Sequence, residues 1–153
     1  MDRYRGLFLE EASEHLADMS RALLVLEKDS ASVESIDVMF RMAHSIKSMA
    51  ATLAYDSISE VSHALEDHME GIRTAARVEG PEALALLFSG LEALEEMVEV
   101  VRGTGESAPA RPELVEALSG AELARAASEL PADPASSDSE LDSPREREPT
   151  KKV

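Results

Sequence analysis

The stretch that decides the fold of this chain is residues 36–54, which read IDVMFRMAHSIKSMAATLA. Apolar side chains recur there every three or four positions, at Ile36, Met39, Phe40, Ala43, Ile46, Ala50, Leu53 and Ala54. This spacing places them on one face of an α-helix, which has 3.6 residues per turn. We therefore predict an amphipathic helix from about residue 35 to 54, with Asp37 in its first turn, where a negative charge suits the helix dipole.

The rest of residues 1–130 has the same character. Stripes of apolar residues predict a first helix over about 2–28, a third over 58–77 that follows a break at Asp56 and Ser57, and a fourth over 81–102. A weaker fifth helix covers about 112–130, and the Ser119-Gly120 pair lowers its expected continuity. Four amphipathic helices with short connections predict an all-α fold, an up-down-up-down four-helix bundle with an additional C-terminal fifth helix.

The composition changes at Pro131. Proline, serine, aspartate and glutamate dominate residues 131–153, and apolar side chains nearly vanish. Such a segment cannot bury enough apolar surface to offset the entropy of ordering. We therefore predict a folded domain over residues 1–130 and a disordered acidic linker or tail over 131–153.

Charge and composition narrow the classes of function. The 153 residues carry a formal charge of −16, no cysteine and only 3% aromatic residues. This balance disfavours nucleic acid and anionic membranes as partners and favours a protein partner with a positive rim. The absence of cysteine excludes disulfides, thiolate metal ligands and cysteine nucleophiles. With neither a signal peptide nor a membrane-length apolar run, we expect a soluble, cytoplasmic protein that is monomeric as an isolated domain.

His44 is the residue in the second helix that stands out chemically. It lies on the flank of the apolar stripe, and Lys47 and Ser48 are its neighbours three and four positions along the same side. Small side chains around it leave space for a partner to reach a ring nitrogen. We predict that this docking surface consists of Arg41, Met42, Ser45, Ser48, Met49 and Ala51.

The third helix supplies a carboxylate that could reach His44. Glu66 lies at the edge of that helix's apolar stripe, so on an antiparallel neighbour it can extend across to the imidazole. A carboxylate that accepts the Nδ1–H bond fixes the tautomer and leaves Nε2 as the nucleophile. The chain has no glycine-rich nucleotide loop, so we expect that it does not use ATP itself.

The remaining polar residues have simpler interpretations. His63 is either a support for the same site or a solvated residue, whereas His15 and His68 are expected to be solvated. A metal site formed by His63, Glu66, Asp67 and Glu70 is disfavoured because all four lie on one helix.

The segment Phe40-Arg-Met-Ala-His-Ser-Ile-Lys47, followed by His63-Ala-Leu-Glu-Asp67, resembles histidine phosphotransfer (HPt) domains. More narrowly, it looks like the N-terminal P1 domain of chemotaxis histidine kinases of the CheA family. Residues 4–11 and 26–29 are similar to that family as well, and the resemblance covers about residues 1–130.

The resemblance implies a five-helix domain in which His44 is phosphorylated on a ring nitrogen. It assigns Lys47, Glu66 and His63 to the surroundings of the phosphoacceptor. It also implies that the kinase domain of the same protein is the donor, with ATP and Mg²⁺ on the partner domains and no cofactor in this chain. CheY-type receiver domains would be the acceptors.

Two residues depart from the family pattern. Ser48 stands where the family usually has glycine after the lysine, and Ala54 stands where glycine usually precedes the aromatic residue. Because both replacements are small, we expect them to affect the rate of transfer more than transfer itself.

Two alternatives remain open on the sequence. A free-standing phosphorelay HPt protein would share the chemistry without the kinase context. A non-catalytic helical adaptor would share the bundle without needing a reactive His44.

Overall fold

The computed structural model describes the backbone of residues 2–129 and the side chains of residues 3–120. The chain divides into two units, Met1–Glu122 and Leu123–Val153. The predicted linker or tail at 131–153 lies outside the described residues. Over residues 2–129 the secondary structure is entirely helical, and the five helices are α1 (Asp2–Lys28), α2 (Val33–Thr52), α3 (Asp56–Ala75), α4 (Pro81–Thr104) and α5 (Pro112–Glu129).

The first four helices form a bundle around one core. Helix α1 packs against α2 and α4, and α3 packs against the same two helices. The predicted stripes supply the core, whose largest fully buried side chains include Met19, Leu23, Met39, Ile46, Leu65, Leu87 and Leu94. The all-α bundle predicted from periodicity is therefore confirmed. Within residues 2–129, none of the helices has the length and apolar character that crossing a bilayer requires.

Helix α2 begins two residues earlier than the sequence indicated. Ser32 is the N-cap, and its hydroxyl accepts a hydrogen bond from the Ser35 backbone N–H at 3.3 Å. Glu34 is therefore the acidic residue of the first turn. Asp37, predicted for that position, lies one turn further on, where its carboxylate accepts a hydrogen bond from Arg41 Nε at 2.8 Å.

The turn between α2 and α3 is centred on Ala54. Its φ of 63° lies in the left-handed region, which alanine enters only at a steric cost. The Tyr55 N–H donates to the Ala50 carbonyl at 2.8 Å, and the Tyr55 ring packs on Phe8 with 5.1 Å between ring centroids. The predicted break at 56–57 therefore falls slightly earlier, since α3 already includes Asp56 and Ser57.

Helix α5 continues unbroken across Ser119 and Gly120. The predicted fifth helix over about 112–130 is therefore confirmed for the described backbone, without a break at that pair. The first half of α5 is held by Leu114 and Leu118, which are both buried. At Gly90 of α4 an added Cβ would lie 3.7 Å from Leu118 and 3.1 Å from Leu65, so the missing side chain gives both leucines room.

Candidate functional site

The α2 helix presents His44 at the edge of the bundle. Its neighbours Ala43 and Ile46 are fully buried, and they fix the rotation of the helix about its own axis. With that rotation the His44 side chain remains 55% exposed. The imidazole is thus accessible to a partner while its backbone is part of a rigid helix.

Glu66 of α3 reaches His44 across the α2–α3 interface. The distance from His44 Nδ1 to Glu66 Oε2 is 2.7 Å. The second carboxylate oxygen, Oε1, accepts a hydrogen bond from Lys47 Nζ at 2.6 Å. Burial of Leu65 and Met69 on either side holds α3 in the register at which one carboxylate bridges both partners.

The Glu66 carboxylate is only 12% exposed. Partial burial would raise its pKa, but hydrogen bonds from Lys47 and then His44 outweigh that effect, and the net pKa of Glu66 is lowered. The group is therefore an anion at neutral pH and can only accept hydrogen bonds. It consequently selects the His44 tautomer with hydrogen on Nδ1 and a lone pair on Nε2.

The structure brings together His44, Lys47 and Glu66, three of the four residues that sequence reasoning placed at the site. The fourth, His63, is exposed and lies 3.7 Å from Asp67 on its own helix. The contact that the structure gives His63 is therefore with Asp67, and its support of the His44 ring stays a prediction.

His68 corrects the sequence-based expectation for the other histidines. It is fully buried between α3 and α4, with Nε2 3.3 Å from the Ala83 carbonyl oxygen. The prediction that His68 is solvated is wrong because α3 packs against two helices, so its buried face is wider than the apolar stripe alone indicates. Because imidazole is polar, the spacing of apolar residues in the sequence does not indicate that a histidine is buried.

Three of the six predicted docking residues, Arg41, Met42 and Met49, line grooves between α1 and α2. Arg41 and Met42 line a groove of about 480 Å³. Met49 lines a second, apolar cavity of about 210 Å³ toward the other end of α2. Ser48 and Ala51 are exposed, and Ser45 is partly buried.

Two residues of α1 that sequence reasoning did not assign to the site lie next to Met49. Tyr4 and Leu7 are 60% and 54% exposed, and both line the same apolar cavity as Met49 and Leu53. The signal was available in the sequence, since these are large apolar residues off the buried stripe of α1. We call the surface formed by Tyr4, Leu7, Met49 and Leu53 the α1–α2 apolar surface.

Comparison with known proteins gives the class that this geometry indicates. Residues 3–104 match the family model for the Hpt domain, and the chain belongs to that family. The resemblance noted from the residues around His44 and Glu66 is thereby confirmed.

Individual relatives narrow the class. The chain is 34% identical over 142 residues to the chemotaxis protein CheA of Bacillus subtilis strain 168, an alignment that covers 92% of this chain and 21% of that protein. The chain thus spans about one-fifth of the length of this curated relative. The solution structure of the histidine phosphotransfer domain of CheA superposes with a TM-score of 0.71 at 26% identity, over 82% of this chain and 92% of that domain.

A further structure supports the fold. The crystal structure of the phosphorylated P1 domain of CheA3 in complex with CheY6 from R. sphaeroides gives a TM-score of 0.73. It is 21% identical and covers 82% of this chain and 98% of that one. The predicted architecture and the family therefore agree.

Proposed function

We propose that this chain is the phosphotransfer domain of a chemotaxis-type two-component histidine kinase. His44 accepts a phosphoryl group from an ATP-bound kinase domain and passes it to an aspartate of a CheY-type receiver. The observation that carries the proposal is the exposed His44 ring whose Nδ1 lies 2.7 Å from the Glu66 carboxylate. An adaptor without chemistry has no need of a surface histidine oriented in this way.

The chemistry follows from the tautomer that Glu66 selects. The Nε2 lone pair forms a bond to phosphorus as the bond from phosphorus to the leaving ADP oxygen breaks. The Nδ1 proton stays on the ring, and the positive charge that develops there lies next to the Glu66 anion. Lys47, three residues along the same helix, supplies a cation for the phosphoryl oxygens.

The partners in this proposal are the kinase domain of the same protein as donor and the receiver as acceptor. ATP and Mg²⁺ would bind to the partner domains, and this chain would carry no cofactor. The setting would be the cytoplasm. The CheA relatives favour this context over a free-standing phosphorelay protein, because the alignment with a relative extends along 92% of this chain.

The test is phosphorylation with labelled ATP and the CheA kinase domain from Bacillus subtilis, whose CheA is similar to this chain. We expect acid-labile label on the wild type, none on His44→Gln, and none when the kinase is left out. His15→Gln is the matched control, since His15 is a partly exposed histidine on α1, and it should label as the wild type does. Label that resists acid or persists in His44→Gln would refute the proposal.

A further inference from the structure

Ser48 occupies the position next to His44 on the outer side of α2. It lies one helical turn after the histidine, and its side chain is exposed. Side chains of an α-helix lean toward its N-terminus, and positions four apart lie about 5–6 Å from each other between Cβ atoms. The Ser48 hydroxyl therefore lies on the same face of α2 as the His44 side chain, about one helical turn away.

The hydroxyl is available for a new contact. The Ser48 carbonyl accepts a hydrogen bond from Thr52 Oγ1 at 3.0 Å. Among the hydrogen bonds of the part of the chain that the structure describes, the Ser48 hydroxyl itself takes part in none. The Ser48 O–H can therefore donate to a group bound at His44 without breaking an existing hydrogen bond.

The contacts of His44 and Lys47 indicate which ring nitrogen is available to a bound group. The Nδ1 side of the His44 ring faces α3, because Glu66 holds it at 2.7 Å. Nε2 is separated from Nδ1 by one ring carbon, and it is not the nitrogen that contacts Glu66. A phosphoryl group on Nε2 would carry three acceptor oxygens, and Lys47, whose Nζ is 2.6 Å from Glu66 Oε1, would reach them from the side that faces α3.

We infer that the Ser48 hydroxyl donates a hydrogen bond to the phosphoryl group on His44 Nε2 and prolongs the life of the phosphorylated form. The inference rests on the proposed function and assigns a role to a residue that departs from the family's glycine. In hydrolysis, water attacks phosphorus, the Nε2–P bond breaks, its electron pair returns to Nε2, and phosphate leaves with the water oxygen. A hydrogen bond to the phosphoryl oxygens stabilises the state before this step.

The experiment uses phosphoramidate as donor, so that no kinase has to dock. Nε2 bonds to phosphorus as the P–N bond breaks, and the nitrogen leaves as ammonia with the bonding electrons. After the donor is removed, the half-life of phosphorylated His44 is followed by ³¹P NMR in the wild type, Ser48→Ala and Ser48→Thr. Ser89→Ala is the control, an exposed helical serine on α4, a helix that does not pack against α2.

We expect Ser48→Ala to shorten the half-life by about two- to tenfold, the range that one hydrogen bond supplies, and to shift the ³¹P resonance. Ser48→Thr keeps the hydroxyl and should match the wild type, as should Ser89→Ala. Equal half-lives in the wild type and Ser48→Ala, or a Ser48→Thr half-life as short as that of Ser48→Ala, would overturn the inference alone. A wild type that takes up no phosphoryl group at His44 would overturn the proposed function and this inference with it.

Discussion

At the scale of single residues, the site depends on one carboxylate that serves two partners. Glu66 uses Oε2 for His44 and Oε1 for Lys47, so neither oxygen is spare. The charge of Glu66 favours the Nδ1–H tautomer, and in the proposed reaction it would also stabilise the positive charge that develops on the ring as Nε2 reacts. Its replacement by an uncharged isostere should therefore affect reactivity more than folding.

We expect Glu66→Gln to slow phosphorylation of His44 by about ten- to a hundredfold, the scale of losses measured for carboxylates behind metal-bound histidines. The amide keeps one acceptor oxygen but removes the negative charge. Ring ¹⁵N chemical shifts of His44 should show a larger share of the Nε2–H tautomer than in the wild type. Glu70→Gln, an exposed glutamate one turn further along α3, is the control. Unchanged rates and tautomer populations in Glu66→Gln would show that Glu66 does not orient the ring.

The lowered pKa of Glu66 predicts a pH dependence of stability. The ordinary pKa of the group is 4.5, and in the folded protein it is lower, so folding favours the ionised form. The stabilisation is complete above about pH 4.5, the unfolded value, and is lost as the pH falls through the lower folded value.

Urea unfolding of the wild type and Glu66→Gln, compared across this range, checks that sign. The difference in unfolding free energy between the two proteins should be largest near neutral pH and should shrink below about pH 4.5. Because the other carboxylates titrate in both proteins, their contributions cancel when the two unfolding free energies are subtracted at each pH. A difference that grows as the pH falls would mean that the pKa of Glu66 is raised in the folded state.

The residue scale also shows what sequence could predict of the site. The pair His44 and Glu66 could be predicted because each lies at the edge of a clear apolar stripe, and two such edges meet when the helices pack. The contact of His63 with Asp67 could not be distinguished from a contact with Glu66, since both carboxylates lie within one turn of it. The burial of His68 depends on where α4 begins. The spacing of apolar residues within α3 carries no information about that position.

At the scale of elements, the predicted helices were right and their ends less so. The periodic spacing of apolar residues locates the middle of a helix, whereas the positions of its ends depend on local hydrogen bonds. The first turn of α2 is set by the Ser32 hydroxyl, and any of several serines between 30 and 35 could have served. At the other end, the α2–α3 turn places an alanine in a conformation that favours glycine.

We expect Ala54→Gly to stabilise the fold by about 1 kcal/mol. Glycine removes the steric cost of a left-handed alanine, but part of this gain is lost because glycine has more conformational entropy in the unfolded chain. The φ of 63° at this position is the reason. Thermal and urea unfolding measure the change. Ala85→Gly, at an exposed helical position of α4, is the control and should destabilise by about the same amount. Destabilisation by Ala54→Gly would show that the turn does not hold a left-handed residue.

At the scale of the whole molecule, the packing of α1 against α2 creates an apolar surface beside the helix that carries His44. Tyr4 and Leu7 of α1 join Met49 of α2, the helix that carries His44, and Leu53, which follows α2, around one apolar cavity. Sequence patterning did not assign the α1 residues because it ranks positions by whether they are buried, and Tyr4 and Leu7 are apolar but exposed. Only the packed pair of helices shows that these residues lie side by side.

If a receiver docks on the α1–α2 apolar surface, a substitution there should slow transfer to the receiver more than it slows phosphorylation by a small donor. Leu7→Lys should lower the rate of transfer from phosphorylated His44 to a CheY-type receiver by about tenfold, since loss of one central apolar contact in an interface costs 1 kcal/mol or more. Phosphorylation by phosphoramidate should fall much less, because a small donor does not need the surface. Leu24→Lys is a matched control: both leucines lie on α1 and are about equally exposed, 54% for Leu7 and 55% for Leu24, but Leu24 does not line the cavity. Equal losses of transfer in the two variants would mean that added charge, and not this surface, governs the encounter.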